Sequence, residues 1–250
     1  NENAMGKSEI SLLARSTNGG QSWIMERPNG FVGQGGELKD LKNKINFLDP
    51  GFVFRVVGAG YHGANQEKGE FFYSYDRGKS WMGPYRFVGL MKYKELRGLE
   101  LTSRTDYVVN SSDEILVLGS VRIPGNGPRP WKRDRVFVSR SQDGGRSFHF
   151  IAWVVSPNDP HRAVMPSTVK ISDKKLVSVI RRRDLKTNHC WVDAYLTEDA
   201  GQSWSFLSFV GDTGLHNGNP ASLTQLRNGN LVAAYGNRNA LHMIVRVSKN

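Results

Sequence analysis

The sequence predicts an all-β fold, a β-propeller, and three observations support this prediction. First, one eight-residue signature, Ser/Thr-x-Asp/Asn-x-Gly-x-Ser-Trp/Phe, occurs four times, starting at residues 16, 74, 141 and 197. Second, successive copies start 56 to 67 residues apart, which is the size of a propeller blade rather than of a helical repeat. Third, short alternating strands separated by tight turns fill the intervals, and no convincing amphipathic helix interrupts them.

Each copy of the signature, which we call a box, has the chemistry of a self-contained turn. A carboxylate or amide at the third position can accept backbone N–H groups, and the glycine can take a positive φ at little steric cost. The final Trp or Phe buries a ring under the turn. We therefore predict structural roles, and neither a metal site nor acid catalysis, for the third-position residues Asn18, Asp76, Asp143 and Asp199.

Paired strands precede the later boxes and give each blade its core. The pairs are residues 105–109 with 115–122, 165–171 with 176–181, and 219–226 with 231–235. Tight-turn sequences join the two members of each pair at residues 112–114, 172–175 and 227–230. This spacing predicts antiparallel hairpins that repeat once per blade.

The boxes resemble the Asp-box, or bacterial neuraminidase repeat, of the sialidase superfamily, and the resemblance covers the whole chain. It implies a sialidase-type propeller, six-bladed when complete, with four-stranded antiparallel blades. In that family the motif joins the third and fourth strands of a blade, on the face away from the active site. Against six blades, residues 1–250 are expected to be a single propeller domain that is an internal fragment, with about three complete blades and two partial ones. Ser248 would open a fifth box.

Composition limits the partners that this chain can have. The net charge of +11 suggests an acidic partner, and an anionic carbohydrate fits the spread of basic residues better than nucleic acid does. A merely solvated basic surface is the alternative. The single cysteine, Cys190, excludes internal disulfides and multi-cysteine metal sites, and no cofactor is expected. No apolar run is long enough to span a membrane, and no signal peptide is visible, although a secreted or periplasmic location is compatible with the sequence.

Arginines recur after the second strand of successive blades, where propeller ligands lie over the central channel. The resemblance implies that three arginines hold the carboxylate of the substrate, since a planar guanidinium matches a carboxylate bidentately. We predict substrate-binding roles for Arg55, Arg104, Arg122, Arg162, Arg181, Arg183, Arg238 and His216.

Catalytic candidates follow from the same geometry. Asp106 enters an innermost strand beside Arg104 and could act as a general acid or base, although a structural Arg–Asp pair is an equal alternative. The resemblance implies a nucleophilic tyrosine polarised by a glutamate, and Tyr107 and Tyr235 are candidates by location only. His62 follows a glycine-rich approach suited to a ligand loop, although a surface histidine is the simpler interpretation.

The sequence also departs from the sialidase pattern. Arg122-Ile123-Pro124 matches the tripeptide that carries a sialidase's first arginine, but here it follows the second box instead of preceding the first. Met165 and Asn219 stand where sialidases place a glutamate, so no Tyr–Glu pair can be assigned.

Three functions therefore compete. The first is a sialidase-like glycoside hydrolase that acts on an acidic sugar. The second is a lyase or hydrolase of uronate polysaccharides that uses His, Tyr and Arg. The third is a non-catalytic propeller that binds glycan or protein, and the fold cannot decide among them because function depends on the site.

Overall fold

The computed structural model describes residues 12–29, 37–58, 69–124 and 134–248, and these form antiparallel sheets in chain order. Sheet 1 holds β1 (Leu13–Arg15) and β2 (Ile24–Glu26), and sheet 2 holds β3 (Val53–Val57), β4 (Glu70–Ser74) and β5 (Met82–Arg86). Sheet 3 holds β6 (Glu100–Val109), β7 (Ile115–Arg122), β8 (Arg135–Ser141) and β9 (His149–Trp153). Sheet 4 holds β10 (Arg162–Lys170), β11 (Leu176–Arg183), β12 (His189–Thr197) and β13 (Ser205–Leu215). Sheet 5 holds β14 (Ala221–Gln225), β15 (Leu231–Asn237) and β16 (His242–Val247).

The sheets are arranged as the blades of a β-propeller, which confirms the predicted fold class. Within each sheet the strand order follows the chain, so every connection is a simple hairpin. The first strands of successive sheets contact one another, β3 against β6, β6 against β10, and β10 against β14. A single 3₁₀ turn (Leu90–Lys92) lies in the connection from sheet 2 to sheet 3.

The core lies between the blades rather than inside one layer. In β7, Ile115, Val117 and Val121 pack toward sheet 2, whereas Leu116 and Leu118 pack toward sheet 4. Because both faces of the strand are buried, its sequence is continuously apolar from Ile115 to Leu118 instead of alternating. The same arrangement in each sheet makes the blades mutually dependent for their hydrophobic burial.

The boxes form closed turns between the last two strands of sheets 1 to 4. In the second box, Asp76 Oδ1 accepts the backbone N–H of Ser80 at 2.9 Å, and Asp76 Oδ2 accepts its hydroxyl at 2.6 Å. Ser74 Oγ accepts the N–H of Gly78 at 2.8 Å, and the Trp81 indole donates to the Gly78 carbonyl at 3.0 Å. Equivalent bonds recur around Asn18, Asp143 and Asp199.

In three of the boxes the fourth position presents its carbonyl to an earlier segment of the chain. This position is left-handed in all four boxes, with φ between 59° and 70° at Gly19, Arg77, Gly144 and Ala200. Arg15 Nη1 donates to the Arg77 carbonyl at 2.9 Å, and Arg140 Nη2 donates to the Ala200 carbonyl at 2.7 Å. The Gly144 carbonyl accepts the backbone N–H of Ile45 at 2.9 Å. Each of these three boxes is thus tied to a chain segment that precedes its own blade.

The box carboxylates predict a specific response to acid. Hydrogen bonds from Ser203 and Thr197 outweigh burial and lower the pKa of Asp199 to about 2. A depressed pKa contributes stability above the unfolded value near 3.8, and this contribution is lost as the pH falls through the folded value. We expect Asp199→Asn to flatten the dependence of the unfolding free energy on pH between 4 and 2, as measured by urea denaturation.

The first box shows why the amide is tolerated at this position. Asn18 Oδ1 accepts the Ser22 N–H at 3.0 Å, and Asn18 Nδ2 donates to the Ser22 hydroxyl at 2.8 Å. Asp199→Asn should therefore cost at most about 1 kcal/mol at pH 7. Asp173→Asn, on the exposed turn after β10, is the control and should leave the pH profile unchanged. If the unfolding free energy depends on pH in the same way in Asp199→Asn and in the unmodified chain, the depressed pKa of Asp199 is contradicted.

Candidate functional site

Polar and charged side chains gather at the end of the sheets opposite the boxes, which we call the top end. Here the first strand of a sheet begins and its second strand ends, so residues distant in sequence become neighbours. Sheets 3, 4 and 5 all contribute to this end. It contains most of the arginines predicted to bind substrate.

Three buried arginines lie together at the top end of the β10–β11 hairpin. Arg162 stands directly opposite Arg183 in the register, and Arg181 lies two residues before Arg183 on β11. All three side chains are less than one-tenth exposed. Like charges placed opposite each other across a strand pair are destabilising, so this cluster favours a nearby anion.

Two carboxylates accompany the arginines from sheet 3. Arg122 pairs with Glu100 through its Nε, and Arg162 pairs with Asp134 in the same way. All four groups are buried. The stability of each ion pair therefore depends on the alignment of its two groups, because water does not solvate them. Asp134 Oδ1 has no hydrogen-bond partner within the described part of the chain.

Asparagines on the neighbouring loops orient the arginines of sheet 4. Arg183 Nη2 donates to Asn188 Oδ1 at 2.5 Å, and Arg181 Nη2 donates to Asn217 Oδ1 at 2.5 Å. The backbone carbonyl of Asn188 also accepts the backbone N–H of His216, at 2.7 Å. His216 is exposed and left-handed with φ of 65°, and this backbone bond places it next to Asn188, the residue that holds Arg183.

Arg238 extends the top end to sheet 5. Its Nε donates to Asn219 Oδ1 at 2.7 Å, and its side chain is exposed. The structure thus brings Arg122, Arg162, Arg181, Arg183, Arg238 and His216 to one end of three adjacent sheets. Arg55 lies apart on β3, where it stacks over Phe72 at 5.7 Å, and burial lowers the pKa of its guanidinium.

Asp106 lies deeper than the top end, in the interface between the first strands of sheets 3 and 4. Its Oδ2 accepts the backbone N–H of Thr168 at 2.5 Å. Burial raises the pKa of Asp106, against hydrogen bonds from Tyr107 and Thr168 that lower it. Ser167 Oγ accepts the N–H of Leu223 at 3.0 Å in the next interface, so a side-chain acceptor holds successive first strands together.

The two tyrosines occupy packed positions. Tyr107 Oη accepts the backbone N–H of Phe54 at 3.4 Å, and its ring packs edge-on against Phe54 at 5.7 Å. Burial raises the pKa of Tyr107, which disfavours the phenolate. Tyr235 is 1% exposed, and its hydroxyl donates to the Val210 carbonyl at 3.5 Å. These contacts give both rings packing roles and leave a nucleophilic role without support.

Two predicted site residues cannot be placed in full. His62 lies outside the described residues. Arg104 lies on β6 within the register shift between Thr102 and Asp106, and its side chain is not among those described.

Comparison with known proteins gives the family. Residues 4–250 match the model of the BNR repeat-like domain. The chain belongs to the BNR repeat-like domain family. No curated protein matched the sequence.

Solved structures resemble the fold of this BNR repeat-like domain at low identity. An α-L-arabinofuranosidase from Fusarium graminearum with an iminosugar inhibitor has a TM-score of 0.55 and 15% identity, covering 81% of this chain and 64% of that one. The Fusarium graminearum enzyme with arabinobiose has a TM-score of 0.52 and 17% identity, covering 82% and 64%. The chain therefore spans less than two thirds of the length of these structures. The NanB sialidase from Streptococcus pneumoniae has a TM-score of 0.43 and 16% identity, covering 67% and 24%.

Two carboxylates of this BNR repeat-like domain were missed by sequence reasoning as site residues. Neither Glu100 nor Asp134 is among the site residues predicted from the sequence. The available signal was position, because both acids stand at strand ends that the hairpins bring beside Arg122 and Arg162.

The described part of the BNR repeat-like domain contains neither a candidate metal cluster nor a candidate membrane-spanning helix. Within residues 12–29, 37–58, 69–124 and 134–248, no group of three or more His, Cys, Asp or Glu side chains could hold a metal ion. No helix in these ranges is long and apolar enough to cross a membrane.

Proposed function

We propose that this chain is part of a carbohydrate-active propeller enzyme of the glycoside hydrolase type, whose top end binds an acidic sugar. The observation that carries the proposal is the cluster of Arg162, Arg181 and Arg183 at one hairpin end. Arg162 is paired with Asp134, whereas Arg181 and Arg183, two positions apart on one face of β11, supply two guanidiniums whose geometry matches a sugar carboxylate. The likeness to arabinofuranosidase structures supports the scaffold for such an enzyme, but it does not assign a substrate.

Within this proposal the residues have separate tasks. Arg181 and Arg183 bind the sugar carboxylate, and Asn217 and Asn188 hold the two guanidiniums in position. Arg238, which is exposed on sheet 5, binds the part of the ligand nearest to solvent.

Glu100 and Asp134 are the carboxylates best located for acid–base chemistry. Glycoside hydrolysis commonly uses two carboxyl groups, one to protonate the leaving oxygen and one to assist attack at the anomeric carbon. Each is held in place by an arginine, Glu100 by Arg122 and Asp134 by Arg162, and we assign them the role of base or nucleophile. Asp106, whose pKa is raised by burial, is the candidate for the acid.

A lyase acting on uronate glycans is the second candidate, and His216 favours it. This histidine is exposed at the top end, and its backbone N–H is bonded to Asn188, the residue that also holds Arg183. An arginine that neutralises a uronate carboxylate would acidify the adjacent C–H, and a nearby histidine could remove that proton. The C–O bond to the neighbouring sugar would then break as the double bond forms, and the leaving oxygen would take a proton from water. A product with a new double bond, detected by its ultraviolet absorbance, would select this alternative over hydrolysis.

The arginine cluster can be tested by measuring binding of acidic sugars to the full chain. We expect Arg183→Gln to weaken binding of sialyllactose or trigalacturonate by tenfold to a hundredfold, since a hydrogen bond to a charged group contributes roughly 1.5–3 kcal/mol. Arg183→Lys should recover only part of the affinity, because it keeps the charge and loses the bidentate geometry. Calorimetric titration gives both dissociation constants.

A matched control separates this site from general surface charge. Arg86 is an exposed arginine on β5 that pairs with Asp40, and Arg86→Gln removes the same charge elsewhere. Equal loss of affinity in the Arg183 and Arg86 variants would reduce the effect to net charge and overturn the proposal. Thermal melting of each variant checks that the chain remains folded.

A further inference from the structure

A second cleft lies on the face of sheet 4 that is turned toward sheet 3, away from the arginine cluster. It has a volume of about 400 Å³, which falls in the range of roughly 300–1,000 Å³ typical of small-molecule sites. The connection from β9 to β10 forms one side, and β11, β12 and β13 form the other. Its polar and aromatic lining includes Asp159, His161, Arg182, Asp193, Trp204 and Phe206.

The alternation of β11 separates this cleft from the top-end arginines. Arg182 is on the same face as Ile180, which packs in the core between sheets 3 and 4. Arg181 and Arg183 are on the opposite face with Val179, which packs toward sheet 5. Because successive side chains of a strand point to opposite faces, one arginine run serves two separate sites.

The floor of the cleft is a buried ionic network. Arg182 is 2% exposed and donates to Asp159 Oδ1 at 2.6 Å, to the hydroxyl of Tyr195, and lies 3.5 Å from Asp193 Oδ2. Asp159 Oδ1 also accepts the backbone N–H of His161 at 2.8 Å. Two carboxylates therefore face one guanidinium, and the cleft has no excess positive charge to attract an anion.

The aromatic wall has a fixed part and an open part. Trp191 is held by His189, stacked at 5.3 Å, by Arg182 at 5.7 Å, and by the edge of His161 at 5.2 Å. Phe206 is 60% exposed, and its ring meets Tyr195 edge-on at 6.0 Å. Phe206 thus offers a ring face beside a floor of hydrogen-bonding groups.

We propose that this cleft is a second carbohydrate site, which takes one or two residues of a neutral sugar. The C–H groups of a sugar ring carry partial positive charge and lie favourably on the negative face of Phe206. Sugar hydroxyls would donate to the carboxylates of Asp159 and Asp193. The floor has more carboxylates than guanidiniums, which distinguishes it from the top end, where the arginines favour an acidic residue. The glycan nature of the ligand rests on the proposed function; the location and the neutral preference do not.

The test uses neutral disaccharides and two phenylalanines of the same strand. Arabinobiose, xylobiose and cellobiose are titrated into the full chain, with binding followed by the fluorescence of Trp191 and Trp204 in the cleft and by calorimetry. We expect Phe206→Ala to weaken binding of at least one disaccharide by fivefold or more. Phe209→Ala is the matched control, because Phe209 is also on β13, is 58% exposed and does not line the cleft. Its affinity should stay within twofold of the unmodified chain.

Further variants keep the two sites distinguishable. Asp159→Asn should weaken the same disaccharide, whereas Arg183→Gln should leave it unchanged while it impairs binding of the acidic sugar. If Arg183→Gln loses binding of the acidic sugar while Phe206→Ala binds the disaccharides normally, the cleft proposal is overturned and the proposed function stands. If Phe206→Ala weakens binding of a disaccharide but the chain binds no acidic sugar, the proposed function is overturned and the cleft proposal stands. Absence of binding for all three disaccharides would also overturn the proposal. Binding of phenethylamine, a cationic aromatic amine, in place of the disaccharides would do the same.

Discussion

Replacing Arg162 with alanine is expected to lower the free energy of unfolding by about 3–5 kcal/mol, the cost of leaving one member of a buried ion pair alone. Asp134 is 1% exposed, and Arg162 is its ion-pair partner. Its other oxygen, Oδ1, has no hydrogen-bond partner in the described ranges, so the neighbours offer little compensation. Urea denaturation of the full chain at pH 7 measures the difference.

Two further variants show whether burial causes the effect. Arg86 and Asp40 form an exposed pair, with side chains 48% and 66% accessible, and Arg86→Ala should cost less than about 1 kcal/mol. Replacing both partners of the buried pair, Arg162→Met with Asp134→Leu, should recover most of the loss, since apolar substitution of a whole buried pair is often neutral. A similar cost for Arg162→Ala and Arg86→Ala would mean that water reaches Asp134.

Replacing Gly211 with alanine is expected to cost roughly 3 kcal/mol, at the upper end of the range for overpacking in a core. A Cβ at this position would lie 1.7 Å from the hydroxyl oxygen of Tyr235 and 2.7 Å from its Cζ. The ring is enclosed between sheets 4 and 5, so it cannot move aside without repacking Val179, Val192 and Ala194. Urea denaturation of Gly211→Ala, of Tyr235→Phe and of the double variant gives the coupling free energy between the two positions.

Tyr235→Phe is the partner variant and also addresses the tyrosine's role. Alone it removes one long hydrogen bond to Val210 and should cost about 0.5–1.5 kcal/mol. In the Gly211→Ala background it removes the closest clash, so the double variant should be more stable than Gly211→Ala alone. If Tyr235→Phe instead abolishes sugar cleavage while the chain stays folded, the packing assignment fails and the nucleophile hypothesis returns.

The blade repeat could be predicted from the sequence because its signals are local. Each box carries its own hydrogen-bond partners within eight residues, so its presence alone marks the turn between two strands. The hairpin turns were equally local, and residues 112–114, 172–175 and 227–230 do join the first and second strands. Apolar runs then placed the strand centres correctly.

The top end could not be predicted with the same accuracy, because it depends on register. Val109 stands opposite Ile115, and continuing that register would place Arg122 opposite Thr102. The shift between Thr102 and Asp106 moves Arg122 opposite Glu100 instead. A second shift, at Met165 with φ of 59°, lies between Val164 and Pro166 in β10. Strand ends rich in Arg, Glu and Asp also lack the apolar pattern that reveals strand centres.

The carbonyl that three of the boxes offer to an earlier segment of the chain affects how the molecule comes apart. The Arg77, Gly144 and Ala200 carbonyls are available as acceptors only while their left-handed turns are intact. Melting of one turn therefore removes a bond from a neighbour as well as from its own blade. Such nearest-neighbour coupling makes the partly melted species less populated, so adjacent blades should lose amide protection against hydrogen exchange together rather than one at a time.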